Sequence, residues 1–392
     1  MRSQIDMRAC LPEDWEQALL LGRVWRPSPV AGPSVVLIEK GHVHDISHSC
    51  PIMAELCNLP DLTDRLAGCQ REDLGHVQDI LANSDPAVRD LSQPYFLAPC
   101  DLQTVKACGV TFASSMIERL VEEQAKGDPQ AAKTFRDELS RELEFDLSAI
   151  KPGSAEATAI KAVLVQKGLW SQYLEVGIGP DVEVFSKAPP MASLGTGETL
   201  GIRDDSHWTN PEPEVVLAVN DRGTIVGAAL GNDVNLRDFE GRSALLLGKA
   251  KDNNGSSVIG PFIRLFDEHF TIEDLRRATV TVDVRGRDGF VLADRSNMDQ
   301  ISRDIEALVC QTIDRHHQYP DGLMLYTGTL FSPTKDRGQP GEGFTHKTGD
   351  VVKIASPKLG ALINRVGFCH EIPPWRFGAI ELMHNLASRG LL

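Results

Sequence analysis

Trp208-Thr-Asn-Pro-Glu-Pro-Glu-Val-Val-Leu-Ala-Val-Asn-Asp-Arg-Gly-Thr-Ile-Val-Gly-Ala-Ala-Leu-Gly-Asn-Asp-Val-Asn-Leu-Arg-Asp-Phe-Glu-Gly241 decides the reading of this chain. The apolar run from Glu214 to Asn220 reads as a buried strand, and strand alternation points the carboxylates of Glu212 and Glu214 to one face. Pro213 between them has no N–H to give a sheet, which suits a strand end. Asp221-Arg-Gly-Thr224 is turn-like, and Thr224 to Leu230 is the return strand. A two-residue turn centred on Arg222-Gly223 sets Glu212 opposite Asp233 and Glu214 opposite Gly231, where the missing side chain leaves room for an ion and its ligands. A bulge would shift that pairing by one residue and still leave the three carboxylates together.

Three carboxylates gathered on an apolar sheet face repel one another unless protons or a cation neutralise them. A divalent hard cation is the economical solution. With oxygen ligands alone, Mg²⁺ is favoured over Zn²⁺, Mn²⁺ or Ca²⁺ are possible substitutes, and three protein ligands leave positions open for substrate and water. The plain alternative is a solvated acidic strand end.

Outward from this hairpin the chain is mostly strands: Val182 to Phe185, Thr279 to Val284, Leu323 to Thr327, Val351 to Ala355 and Ala361 to Val366. After about residue 170, helices are predicted only near 301 to 315 and 378 to 388. Two longer helices precede this region, near 113 to 126 and 129 to 145, joined by the breaker Lys126-Gly127-Asp128-Pro129. Further toward the N-terminus, residues 11 to 24 read as a helix with Pro12 at its first position, and Ser34 to Ile46 as two short strands around Lys40-Gly41. The expected organisation is a small α+β domain over residues 1–100 and a large catalytic domain over 101–392. The class is α+β and β-rich, because strands and helices do not alternate as in a doubly wound sheet and no repeat is visible. Gly177-Ile-Gly179 and Gly195-Thr-Gly197 lack the strand and helix context of a nucleotide-binding loop.

Composition narrows the function classes. Of 392 residues, 42% are hydrophobic and 24% charged, which excludes a disordered chain and suggests a small and a large domain or two to three units. A formal charge of −15 without a Lys/Arg run argues against nucleic acid. No signal-like h-region and no long apolar run is present, so no membrane partner and a cytoplasmic location are expected. Eight cysteines without a C-x-x-C pair read as small buried or half-buried thiols, not as disulfides or a zinc site.

The Glu-x-Glu pair at 212 and 214, Asp233 within Gly-Asn-Asp-Val-Asn-Leu-Arg-Asp, the Lys251 to Ile259-Gly-Pro261 segment and Thr327-Gly-Thr329 together resemble the fumarylacetoacetate hydrolase superfamily over roughly residues 100 to 390. The resemblance implies a mixed β-roll catalytic domain, Mg²⁺, a small 2-keto acid as substrate and a homo-oligomer, a dimer or tetramer. It matches Glu212, Glu214 and Asp233 to the metal ligands and Lys251 to the active-site lysine. Many hydrolases of the superfamily carry a water-activating His in a short motif. Here Gly109-Val-Thr-Phe-Ala-Ser-Ser-Met-Ile-Glu-Arg119 has none, which weakens C–C hydrolysis. Phe185-Ser-Lys187 and Arg203-Asp-Asp-Ser-His-Trp-Thr-Asn-Pro-Glu-Pro-Glu214 resemble the 2-keto-3-deoxy-D-xylonate dehydratase branch, a group of lyases that make 2,5-dioxopentanoate in oxidative pentose catabolism. An acylpyruvate-type hydrolase or decarboxylase on the same metal site is the enzymatic alternative, and a keto-acid-binding protein the non-enzymatic one.

For such a dehydration the keto acid chelates the metal through its carboxylate and carbonyl, a base removes a C3 proton, and the C4 hydroxyl leaves. Lys251, near a dication and partly desolvated, is expected to have a lowered pKa for proton transfer, or else to stay charged and hold the keto acid's oxygens. Glu183, alternating with apolar neighbours, is the second acid/base candidate. Ser115, Glu118 and Arg119 begin a helix where N–H groups and a guanidinium can meet a substrate carboxylate or hydroxyl. Thr329 offers donors on its turn, and Lys187 is placed to hold the substrate or a nearby carboxylate. His207, His316, His317 and His346 are read as structural.

Overall fold

The protein was analysed as a computed structural model that describes residues 6–142, 150–168, 170–331, 333–338 and 343–392. Its N-terminal third contains strands β1 (Leu20–Arg26), β2 (Gly32–Glu39), β3 (His42–Asp45), β4 (Glu72–His76), β5 (Tyr95–Leu97) and β6 (Thr104–Gly109), with short helices α1 (Met53–Asn58), α2 (Leu62–Gly68) and α3 (Val77–Asn83). Helices α4 (Ala113–Gln124), α5 (Pro129–Glu142), α6 (Ala155–Gln166) and α7 (Gln172–Ile178) follow, then β7 (Glu183–Ala188), β8 (Thr199–Ile202) and β9 (Thr209–Asn210). The quoted segment supplies β10 (Pro213–Val219), β11 (Ile225–Asp233), β12 (Asn235–Leu236) and α8 (Arg237–Glu240). The rest comprises α9 (Leu247–Lys251), β13 (Ser257–Leu265), α10 (Ile272–Arg276), β14 (Thr279–Arg285), β15 (Val291–Asn297), α11 (Ile305–Thr312), β16 (Leu323–Tyr326), β17 (Val351–Ser356), β18 (Gly360–Phe368) and α12 (Ala379–Ser388).

Eleven strands form one mixed sheet in the order β4-β3-β2-β1-β13-β11-β10-β16-β6-β7, with β5 also paired to β1. A five-stranded sheet, β15-β14-β17-β18-β8, packs against it. Alternation along β10 explains the layering. Val215, Leu217 and Val219 enter the core shared with Val280, Val282 and Ile354 of the second sheet. Val216 and Ala218 join Ile263, Met324 and Tyr326 on the opposite face, beneath Met53 and Leu56 of α1. Glu212 and Glu214 share the parity of Val216, so they belong to this second face. A one-residue slip would drive them into the apolar inter-sheet core, so burial of both faces pins the register.

The turn differs from the expected two-residue hairpin. Asn220 Oδ1 accepts hydrogen bonds from Arg222 N (3.0 Å) and Thr224 N (2.9 Å), closing a three-residue loop in which Gly223 has φ +76°. Val219 therefore pairs with Ile225, and an irregularity between Ala218 and Val219 restores the anticipated register, with Glu214 opposite Gly231. The space at Gly231 is not left for an ion. A Cβ there would lie 2.4 Å from the Tyr326 ring and 2.4 Å from Val216, so the aromatic ring fills it.

Two further expectations change. The predicted helix over 11 to 24 is a set of turns followed by β1, because Leu20 and Leu21 are buried on opposite faces and pair with both β2 and β13. Tertiary pairing overrides the helical start signals there. Helices α6, α7, α8, α9 and α10 and strands β13 and β15 add to the elements anticipated. β13, buried along all nine residues, joins β1 to β11 and so continues the N-terminal strands into the sheet that carries the carboxylates. The predicted helix over 129 to 145 is present as α5, and residues 143 to 145 lie outside the described residues.

Candidate functional site

Glu212, Glu214 and Asp233 offer carboxylate oxygens that all lie within 4.8 Å of one another, and each residue is only 1–2% exposed. Asp233 N donates to Glu212 O (3.0 Å) and Glu212 N to Asn232 Oδ1 (3.0 Å), which locks the open end of the hairpin. Glu214 accepts from Gly328 N (2.7 Å), in the Thr327-Gly328-Thr329 turn that follows β16. Gly328 has φ +97°, and a Cβ there would fall 2.0 Å from Thr111 Oγ1, so this close approach requires glycine.

Buried cations surround the carboxylates. Lys251, at the end of α9, contacts Glu212 and lies 3.2 Å from Asp233 Oδ2. Lys187, on β7 and fully buried, places Nζ 2.8 Å from Asp233 Oδ1 and donates to the Lys251 carbonyl (2.6 Å). Arg119 on α4 contacts the other oxygen of Glu212 and reaches Glu122 (2.6 Å) and Glu240 (2.8 Å). Arg237 in turn bridges Glu122 (2.5 Å) and Glu118 (2.8 Å) and stacks over Trp208 at 4.4 Å.

The electrostatics are uneven. Burial and the neighbouring Asp233 and Glu212 push the Glu214 carboxyl well above the usual range, with Lys251 and the Gly328 N–H only partly offsetting them. Burial opposes ionisation of Asp233 too, but Lys187 and Lys251 outweigh it and hold its pKa down. For Lys251, burial is overcome by Asp233, Glu212 and Glu240, so its pKa rises. Contact with carboxylates exceeds the desolvation penalty here, which fits the charged one of the two states expected for this lysine beside a dication. Lys187 is pushed down, first by burial. Glu183 is raised, mainly by burial, with Arg119 and Lys251 working the other way. Gly109 opposite it makes the room: a Cβ at 109 would sit 1.9 Å from the Glu183 carboxylate.

The oxygen-only donor set fits Mg²⁺. Octahedral coordination at about 2.1 Å places ligand oxygens roughly 3–4 Å apart, which oxygens lying within 4.8 Å of one another can meet. Glu214, only partly compensated, supplies the electrostatic reason for a cation there. Among the described residues this is the one group of three His, Cys, Asp or Glu with metal-binding geometry.

The structure thus brings Lys251, Lys187, Arg119 and Glu118 into one buried network with the three carboxylates. Ser115 and Thr329 lie at its edge with their hydroxyl protons committed to Phe112 O and Phe331 O, both at 2.8 Å. His207, whose backbone N–H binds Asp238, and exposed His316 and His317 stand outside the network, and buried His346 pairs with Asp350 at 3.3 Å. Sequence reasoning missed Glu122, Arg237 and Glu240. Glu122 follows Glu118 by one helical turn, and Arg237 and Glu240 are charges inside the quoted apolar stretch, so spacing carried a signal for each. All eight cysteines are free, six of them buried.

Residues 180–367, just under half of the chain, match the family described as fumarylacetoacetate (FAA) hydrolase C-terminal. It is 35% identical over 185 residues to the 2-dehydro-3-deoxy-D-arabinonate dehydratase of Saccharolobus solfataricus, covering 47% of this chain and 58% of that one. It is 34% identical over 195 residues to a probable 2-keto-3-deoxyxylonate dehydratase of Haloferax volcanii, covering 50% and 63%. The chain thus matches about three fifths of the length of these curated relatives. A solved 2-keto-3-deoxy-D-arabinonate dehydratase complexed with magnesium and 2,5-dioxopentanoate superposes with a TM-score of 0.62 at 21% identity, over 89% of this chain and 99% of that one. A fumarylacetoacetate hydrolase from Exiguobacterium antarcticum superposes at 0.54 with 15% identity, over 90% and 100%. At these identities the superpositions establish the fold.

Proposed function

We propose that this protein is a Mg²⁺-dependent hydro-lyase that dehydrates 2-keto-3-deoxy-D-xylonate (2-dehydro-3-deoxy-D-pentonate) to 2,5-dioxopentanoate. One observation carries the reading: three buried carboxylates within 4.8 Å, two of them held by lysines, lie in the family-matched segment 180–367 of a chain that is 34–35% identical over part of its length to relatives named as pentonate dehydratases. D-xylonate and D-arabinonate lose their distinguishing stereocentres on forming the 2-keto-3-deoxy acid, so the two names denote one compound at this step.

Mg²⁺, when held by Glu212, Glu214 and Asp233, supplies Lewis-acid polarisation of the 2-keto carboxylate. Lys251 and Glu183 are the acid/base pair of this proposal. Glu183, with its raised pKa, suits proton transfer to the departing C4 hydroxyl, and the Lys251 ammonium suits the keto acid's oxygens. Arg119 and Lys187 fix Glu212 and Asp233 in place, and Glu118 extends that network toward the substrate. Ser115 and Thr329 retain oxygen lone pairs that can accept from a substrate hydroxyl. Residues 1–100 then buttress a catalytic unit over 101–392. A cytoplasmic homo-oligomer, dimer or tetramer, completes the proposal. Among the described residues no helix is long and apolar enough to cross a membrane.

The test is an assay of EDTA-stripped protein on 2-keto-3-deoxy-D-xylonate with and without Mg²⁺, the aldehyde product being trapped by a dehydrogenase that reduces a nicotinamide. Mg²⁺-dependent signal is the expected result. Pyruvate released from acylpyruvates, with no aldehyde from the sugar acid, would move the activity to C–C hydrolysis.

A further inference from the structure

A second chemical feature lies under the cap formed by α1 and α2, whose Asn58 reaches the β10–β11 turn. Cys50 and Cys69 place their sulfurs 3.8 Å apart, in van der Waals contact, and are 4% and 9% exposed. Their backbones are already held together, because Gln70 N donates to Ser49 Oγ at 3.0 Å, one residue beyond each cysteine. Burial and the adjacent Cys69 push the Cys50 thiol up to about 11, with the Arg65 guanidinium working the other way. Cys69 closes the C-terminus of α2 beside exposed Gln70 and Arg71, so a small reagent meets it first.

We infer that Cys50 and Cys69 form a reversible disulfide site, oxidised by small-molecule disulfides of the glutathione type. The Cys69 thiolate attacks the reagent, forming a mixed disulfide and releasing one thiolate. The Cys50 thiolate then attacks the Cys69 sulfur and expels the second. The protein loses two electrons, the reagent's S–S bond takes them up, and the two thiol protons end on the two released thiolates. The new bond closes a loop containing α1 and α2. Asn58 of this loop accepts from Asp221 N (2.9 Å) and donates to Pro320 O (3.0 Å), so the bond would tighten a loop already tied to the hairpin turn. The hairpin turn that Asn58 holds is about 20 Å from Glu214 along β10.

Incubation of the full chain with glutathione disulfide, followed by peptide mass mapping and thiol titration in denaturant, tests this. The expected result is a Cys50–Cys69 linked peptide, a fall from eight titratable thiols to six, reversal by dithiothreitol, and a melting temperature raised by a few degrees with Mn²⁺ affinity unchanged. Cys50→Ser should trap the mixed disulfide on Cys69, and Cys69→Ser should leave Cys50 reduced. A wild-type map in which exposed Cys310 carries glutathione while Cys50 and Cys69 stay reduced, or in which either pairs elsewhere, overturns the proposal even if neither variant folds.

Discussion

Two ion clusters in this molecule, one reaching the surface through Asp288 and Lys347 and one buried, are built from the same residue types and balanced differently. In one, Arg337 binds Asp350 (2.5 Å) and Asp288 (3.0 Å), Lys347 also reaches Asp288 (3.0 Å), and His346 leans on Asp350. Two carboxylates meet two permanent cations there. Although burial opposes it, the Asp350 carboxyl is held at about 2 by Arg337 and His346. In the other, Glu118, Glu122, Glu183, Glu212, Glu214, Asp233 and Glu240 face Arg119, Lys187, Arg237 and Lys251. Acids are in excess, and burial pushes Glu214 well up and Glu240 to about 7. Closed neutrality is what a structural cluster needs. Retained negative charge at this depth calls for a cation or protons to complete it, which is why the metal site is proposed at the second cluster.

This contrast can be broken at either end. The largest effect is expected from Glu214→Gln, which removes a ligand of the unbalanced cluster. Mn²⁺ affinity measured calorimetrically should fall more than about 100-fold, the outer bound for residues that merely support a ligand, while thermal stability of the metal-free protein holds or rises because like-charge repulsion is relieved. Unchanged metal affinity in this variant would remove Glu214 from the site. Lys251→Ala should lower kcat by about 10²- to 10⁴-fold and retain metal binding, as measured by turnover alongside calorimetry; kcat equal to the parent's would exclude Lys251 from the reaction.

At the balanced cluster the expected signs reverse. Asp350→Asn leaves Arg337 short of its buried partner and should cost about 3 kcal/mol in urea unfolding, with Mn²⁺ affinity intact. Gly231→Ala tests the packing between the two regimes. Its methyl meets Tyr326 and Val216, so a loss of about 1–3 kcal/mol is expected in the same unfolding assay. The smallest effect is the acid response of Asp350. Its folded pKa lies below the unfolded 3.8, so its contribution is present above that value and fades as pH falls toward about 2. The stability gap between parent and Asp350→Asn should shrink over that window; a gap that widens on acidification would contradict the assignment.

The legible part of the site was the part with short sequence separation. Glu212, Glu214 and Asp233 were placed together by strand parity and one turn, and this survived a wrong turn length because a bulge returned the register. Gly231 was misread, since the Tyr326 ring that occupies its space arrives from β16, nearly a hundred residues onward in the chain. The helix predicted over 11 to 24 failed for a related reason. Its start signals are local, whereas Leu20 and Leu21 gain more by pairing with Arg264 and Ile263 of β13. β13 itself was visible as a motif around Gly260-Pro261 and not as the strand that joins the two parts of the sheet.

By itself the sequence determined that this protein carries a buried hairpin with three converging acids, because strand alternation is a local property. Only the tertiary structure decided which charges answer those acids. Lys187 from β7, Arg119 from α4 and Lys251 from α9 converge through packing, and the pKa of each group follows from partners that no local spacing encodes.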